Sequence, residues 1–248
     1  MPVLLEGGCR VAEACEGEPR RREGLSVWRH AGRDLGSSAI SLRIVELGPG
    51  AKARFRSDAS DEVLYVLDGA GAAEFGGGGE RISADTGLYI PAGTWLAVRN
   101  AGTRPLLLAS AQCPDPGAEA ADETSLPSGP RGVAIVRLGD LDRETTADRW
   151  YRVVIGERQG STQVTQFVGG IPPGRAPDHF HQYEEVLVIL SGSGRMWAGS
   201  THTAIGPGSC VFLPRVQVHC VENTGSSELR LLGVFFPAGS PAARQSAG

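Results

Sequence analysis

Paired cysteines are missing from this chain. Its five cysteines, Cys9, Cys15, Cys113, Cys210 and Cys220, are odd in number and form no Cys-x-x-Cys. A disulfide framework is not expected, and a reducing cytoplasm fits. No run of 18 apolar residues occurs, so no membrane-spanning helix is expected. The opening residues lack a basic stretch before a long apolar one, which argues against a signal peptide. Basic surplus is absent too: the net charge is -4, and no nucleic-acid partner is expected. Lysine is almost missing. Only Lys52 is lysine among 24 basic residues, which reads as genomic base composition rather than recognition chemistry. Aromatics are few (6%), whereas glycine (35) and proline (16) are plentiful. That balance favours short strands and tight turns over long helices. At 248 residues the chain suits one large β domain or two of ordinary size.

What the chain does have is a concentrated stretch, Pro177-Asp178-His179-Phe180-His181-Gln182-Tyr183-Glu184-Glu185, running into Val186-Leu187-Val188-Ile189-Leu190. Residues i and i+2 share a face on a strand and are about 200° apart on a helix. His179 and His181 can therefore share a ligand only if the segment is extended. Glu185 keeps their parity. A third histidine, His219, lies in Val216-Gln217-Val218-His219-Cys220-Val221, a second β-branched segment. Three imidazoles and a carboxylate suit one transition metal ion per chain (Fe, Mn, Ni, Cu, Co or Zn) rather than Mg or Ca. A lone histidine is more often an ordinary surface or core residue. The combined pattern is much more specific, and His179, His181, Glu185 and His219 are the expected metal ligands.

An internal repeat organises the rest. Glu62-Val63-Leu64-Tyr65-Val66-Leu67-Asp68-Gly69 matches Glu185-Val186-Leu187-Val188-Ile189-Leu190-Ser191-Gly192 at an offset of 123, which also carries Pro91 to Pro214 and Asn100 to Asn223. Short strands with frequent turn signals and no helical periodicity indicate an all-β chain of two tandem antiparallel barrels. The expected division is a first barrel over 1–112, a surface linker over 113–131 and a second barrel over 132–248. Residues 241–248 read as a frayed end.

These motifs resemble the cupin superfamily, and the whole chain resembles a bicupin. Gly174, His179, His181, Glu185 and Gly192 match its first motif. Gly208, Pro214, His219 and Asn223 match its second, with Val216 where the motif has glycine. The resemblance implies jelly-roll barrels with the metal inside the second. In the first copy His179 falls on Arg56, His181 on Asp58 and His219 on Leu96, while Glu62 keeps its type. The first barrel is therefore expected to bind no metal, with Glu62 ion-paired to Arg56 and a structural role.

Parity suggests further residues around the second site. Tyr183 shares the parity of the ligands and Gln217 that of His219. Gln166, Arg195 and Trp197 lie on flanking strands. All five are candidates for binding a small-molecule substrate, against the alternative that they face solvent or a subunit contact. Leu187, Ile189, Val221 and Phe212 would form an apolar lining. His30 and His202 read as surface residues.

Three functions fit. The resemblance places first a mononuclear-metal dioxygenase acting on a small organic molecule, with Glu185 as ligand and catalytic base. The second is a non-oxidative metal-dependent isomerase, decarboxylase or hydrolase. The third is a non-catalytic ligand-binding bicupin. A homodimer is a further expectation, from barrels that exchange edge strands.

Overall fold

A computed structural model of the chain describes all residues except 58, 76–77, 117–131, 244 and 247–248. Among the described residues there is no α-helix, only strands and four short 3-10 turns. No helix among the described residues is long and apolar enough to cross a membrane. The fold is all-β, as the glycine-rich, short-period sequence requires.

Two large sheets and two small ones make two barrels. One large sheet has eight strands, with Glu184–Ser191 at its centre between Ser209–Leu213 and Leu229–Phe236. The other has seven, with Asp61–Asp68 between Thr86–Ile90 and Leu106–Cys113. Strand parity then sorts the side chains. Leu187 and Ile189 point into the second barrel, against Met196, Val221 and Leu231. Val186 and Val188, one residue out of phase, point the other way and meet Val63, Tyr65 and Leu42 of the first barrel. The first barrel repeats the scheme with Leu64, Val66 and Leu108 inside. The motif strands are thus apolar on both faces because both faces are covered.

The motif asparagines explain why both copies keep them. Asn223 Nδ2 donates to Ile171 O and Ser227 O (both 2.8 Å), and its Oδ1 accepts from Gly225 N at 2.9 Å. Asn100 repeats this with Leu47 O, Arg104 O and Gly102 N, at 2.9, 2.8 and 2.9 Å. Each asparagine satisfies backbone groups that a turn would otherwise leave unpaired.

The barrels exchange strands. Arg10–Glu13 pairs with Ser209–Leu213, in register Val11↔Val211, so a segment from the start of the chain extends the second barrel's sheet. Ala134–Arg137 pairs with Thr86–Ile90 of the first barrel, in register Leu88↔Ile135. The division at 1–112 and 132–248 therefore does not follow the sheets. Each exchanged strand covers an edge that would otherwise present open backbone groups. The linker expected at 113–131 lies, from 117 onward, outside the described residues.

Glu184 joins the halves a second time. Its carboxylate accepts from Ser37 Oγ (2.7 Å), Ser38 N (2.8 Å), Ser38 Oγ (2.7 Å) and Ala39 N (2.8 Å). These donors hold its carboxyl below the usual range despite burial. The next residue, Glu185, points into the second barrel.

Candidate metal centre

Two paired strands and the residues just after one of them bring the histidines together. His179 belongs to the short strand His179–Phe180, which pairs with His219–Asn223 in register His179↔His219. His181 follows two residues later. One ligand nitrogen from each of the three lies within 4.8 Å of the other two, the only such His/Cys/Asp/Glu group among the described residues.

The ring nitrogens are sorted by their other partners. His179 Nδ1 lies 3.0 Å from Pro177 O, His181 Nδ1 3.0 Å from Ala243 O, and His219 Nδ1 2.8 Å from Gln217 O. A carbonyl oxygen only accepts, so each Nδ1 carries the proton and each Nε2 lone pair is left for the shared point. This is how metal-ligating histidines are commonly oriented.

Glu185 comes from the large sheet, and its Oε2 is 3.7 Å from His181 Nε2. It is not part of the mutual 4.8 Å group. Burial pushes its carboxyl up to about 8. Burial, helped by His179 and His181, pushes His219 down to about 3, which keeps it neutral. A neutral His219 with two further imidazoles and a buried carboxyl is a donor set that a divalent cation fits. His179, His181 and His219 would hold it, with Glu185 adjoining.

A cavity of about 110 Å³ opens beside the triad. Phe167, Ile171, Leu187, Val221 and Leu231 form its apolar wall. Arg149 is the one lysine or arginine among its described lining residues.

The cupin domain profile matches residues 43–111 and 167–235, more than half of the chain. This chain is a cupin. Auxin-binding protein 1 of Arabidopsis thaliana is 32% identical over 129 residues, which are 46% of this chain and 65% of that protein. The chain therefore spans less than two thirds of that relative's length. The fold is shared with protein Ylba of E. coli (TM-score 0.76, 15% identity, 95% of this cupin and 93% of that chain). A putative glyoxylate-induced protein of Pseudomonas aeruginosa gives 0.76 and 16%, covering 100% and 95%. Oxalate decarboxylase of Bacillus subtilis gives 0.74 and 14%, covering 96% and 78%. With two matched domains in one chain, the cupin is a bicupin.

Of the five residues expected to touch substrate, only Tyr183 stands at the bicupin's site. Its ring stacks between His181 (4.7 Å) and Phe235 (4.4 Å). Gln166 faces the other barrel, with Nε2 3.4 Å from Leu64 O. Its even parity matches Val164 and Val168 at the inter-barrel core, whereas Phe167 faces the cavity. Arg195 and Trp197 point outward, because Met196 and Ala198 take the inward positions. Trp197 Nε1 donates to Glu222 Oε2 at 2.8 Å, and Arg195 Nη1 reaches the same oxygen at 3.5 Å. Gln217 sits in a turn, donates to Val218 O at 2.8 Å, and packs on Gly7. Phe212 also belongs to the inter-barrel core, while Leu187 and Val221 line the cavity. His202 stacks on Trp197 at the surface. His30 is buried, with Nε2 2.8 Å from Ala14 O, which corrects its surface reading.

Arg149, Trp150 and Tyr151 were missed in the sequence. The signal was Gly169-Gly170. A glycine pair inside a strand marks close approach. Gly169 pairs with Tyr151 and lines the cavity, and a Cβ on Gly170 would strike the Trp150 indole.

In the first barrel Glu62 does pair with an arginine, but with Arg43 (2.6 Å) and not Arg56. Ser110 Oγ donates to the same oxygen at 2.6 Å. Arg56 lies on the small sheet opposite Trp95, whereas Arg43 is two strands from Glu62 in the large one. Burial pushes Glu62 up while Arg43 and Ser110 pull it down. Leu96 is fully buried in apolar surroundings, and Asp58 lies outside the described residues.

Proposed function

We propose that the second barrel is a metal-dependent enzyme site for a small organic anion, with oxygen-dependent cleavage as the first reaction class. The carrying observation is three imidazole nitrogens within 4.8 Å of one another beside a cavity in which Arg149 is the one lysine or arginine among the described lining residues. A bound transition metal supplies Lewis acidity and, with Fe, Mn, Ni, Cu or Co, redox chemistry. The chain's own residues do the rest. Arg149 offers a planar donor fork for a carboxylate. Its neighbour Asp148, 3.7 Å away, is exposed. The apolar wall excludes bulk water. Glu185 is the group placed to take or return a proton next to the ligands. The cavity is below the roughly 300 Å³ of ordinary ligand sites, which favours a compact substrate. Among the similar proteins, an auxin-binding protein and an oxalate decarboxylase bind or act on small molecules, which supports a small-molecule ligand here.

The test is elemental mass spectrometry on the chain as purified and on His219→Ala. About one transition metal per chain, lost in the variant, is the expected result. No metal in either, even after reconstitution, would put the ligand-binding reading first. Turnover of small carboxylates is then followed with an oxygen electrode. Turnover that persists without oxygen would place the reaction among isomerases, decarboxylases or hydrolases instead.

A further inference from the structure

After its last barrel strand, Leu229–Phe236, the chain turns back over the mouth of the second barrel. Thr165 Oγ1 holds it twice, donating to Gly239 O (3.0 Å) and accepting from Gly239 N (3.1 Å). Ala243 N donates to Ser240 O at 3.0 Å, closing a turn. Pro241 and Ala242 in that turn line the cavity. Gln245–Ser246 then adds a strand to His179–Phe180, in register His179↔Ser246.

One hydrogen bond sets this segment apart from a mere cover. His179 and His219 each orient their rings on the carbonyl two residues before them. For His181 the Nδ1 partner lies much farther along the chain: it is Ala243 O, 62 residues away. The tautomer of one of the three imidazoles is thus fixed from outside the histidine stretch itself, by residues that read in the sequence as a loose end.

We propose that residues 239–243 are a working part of the metal centre, a strap whose Ala243 carbonyl positions His181 and whose Pro241-Ala242 turn closes the cavity. Metal retention and ligand entry both then depend on the strap. The inference rests on the metal-site reading above. Ala243 is a positioning residue: it touches the ring and not the reacting atoms.

The experiment uses Co²⁺ alone as the probe on three proteins: the full chain, a chain ending at Ala238, and Thr165→Val. Affinity comes from chelator competition, release rate from mixing with excess EDTA, and ligand geometry from the visible absorption of Co²⁺. Folding is followed by circular dichroism. The shortened chain is expected to bind Co²⁺ about 10- to 100-fold more weakly, the usual cost of losing an outer partner of a ligating histidine, with a shifted absorption band. Thr165→Val leaves the His181 bond able to form but loosens the anchor. Its affinity should stay within about two-fold while release speeds up about 3- to 10-fold, as expected for about 0.5–1.5 kcal/mol of lost hydrogen bonding.

A folded shortened chain that binds and releases Co²⁺ like the full chain overturns the proposal. If the shortened chain does not fold, Thr165→Val decides, and an unchanged release rate overturns it. A full chain that takes up no Co²⁺ removes the metal reading and the strap with it. Uptake by the full chain with unaltered variants removes the strap alone.

Discussion

Val216 stands at φ +55°, in the left-handed region, and its N–H donates to His181 O at 2.7 Å. At the matching place in the first barrel the chain has Gly93, at φ +77°. A β-branched residue there costs about 1–2 kcal/mol, while glycine loses about 0.5–1 kcal/mol through unfolded-state entropy. Val216→Gly is therefore expected to raise stability by about 0.5–1 kcal/mol in chemical denaturation, with metal affinity unchanged. A fall in stability would show that the Val216 side chain contributes packing that its exposed position does not suggest. Arg149 gives a second test at this scale. Arg149→Met should raise KM, or Kd, for small carboxylates at least about ten-fold, as loss of a charge-assisted hydrogen bond does, with little effect on a neutral analogue. Equal losses for both would take Arg149 out of substrate recognition. The histidines were legible in the sequence because i, i+2 spacing has only one geometric reading. Arg149 was not, because no spacing ties it to them: it reaches the cavity through a pairing of Tyr151 with Gly169.

Strands carry the next level of information, and alternation was only half of it. Parity predicted correctly that Glu185 and Leu187 share a face. It could not say which face of a flanking strand looks inward, because that needs the register with a neighbour. Gln166, Arg195 and Trp197 were misplaced for this reason, each by one residue from an inward neighbour, Phe167 or Met196. That residues 1 to about 35 could add a strand that covers an edge or crosses to the partner barrel was readable, but its pairing was not, for a related reason. Arg10–Glu13 is four residues long, and its partner is 199 positions or so along the chain, at Ser209–Leu213. Its importance is testable. Leu5, Cys9 and Val11 from this region are buried inside the second barrel. At about 1.5–3 kcal/mol for each fully buried large apolar side chain, removing residues 1–14 should cost on the order of 5 kcal/mol. Thermal unfolding should show the loss. An unchanged midpoint would mean that the strand only rests on the sheet.

At the scale of the molecule the repeat and its asymmetry are both explained. The scaffold is duplicated down to the asparagine turns, and the two large sheets bury their outer faces on each other through Val63, Tyr65, Val186 and Val188. The ligands are not duplicated. Where the second barrel gathers imidazoles beside Glu185, the first has a guanidinium, Arg43, against Glu62, so the carboxylate matching Glu185 already has a fixed cationic partner. The first barrel thus contributes a partner face, the seat for Glu184, and a borrowed strand. The twofold repeat was plain in the sequence, but its consequence for chain organisation was not, because edge pairing depends on which strand ends lie close in space.

The strand exchange has a consequence for continuity of the chain. Each half carries a piece that completes the other: Arg10–Glu13 in one direction and Ala134–Arg137 in the other. Two separate polypeptides, residues 1–116 and 132–248, should therefore find each other and reassemble as a non-covalent pair when co-expressed, while 132–248 produced alone should be insoluble or unfolded. Affinity purification through a tag on one piece would recover both in equal amount, and two pieces that fold and purify independently would refute the idea. The molecule would then serve as a split reporter in which metal binding appears only on complementation.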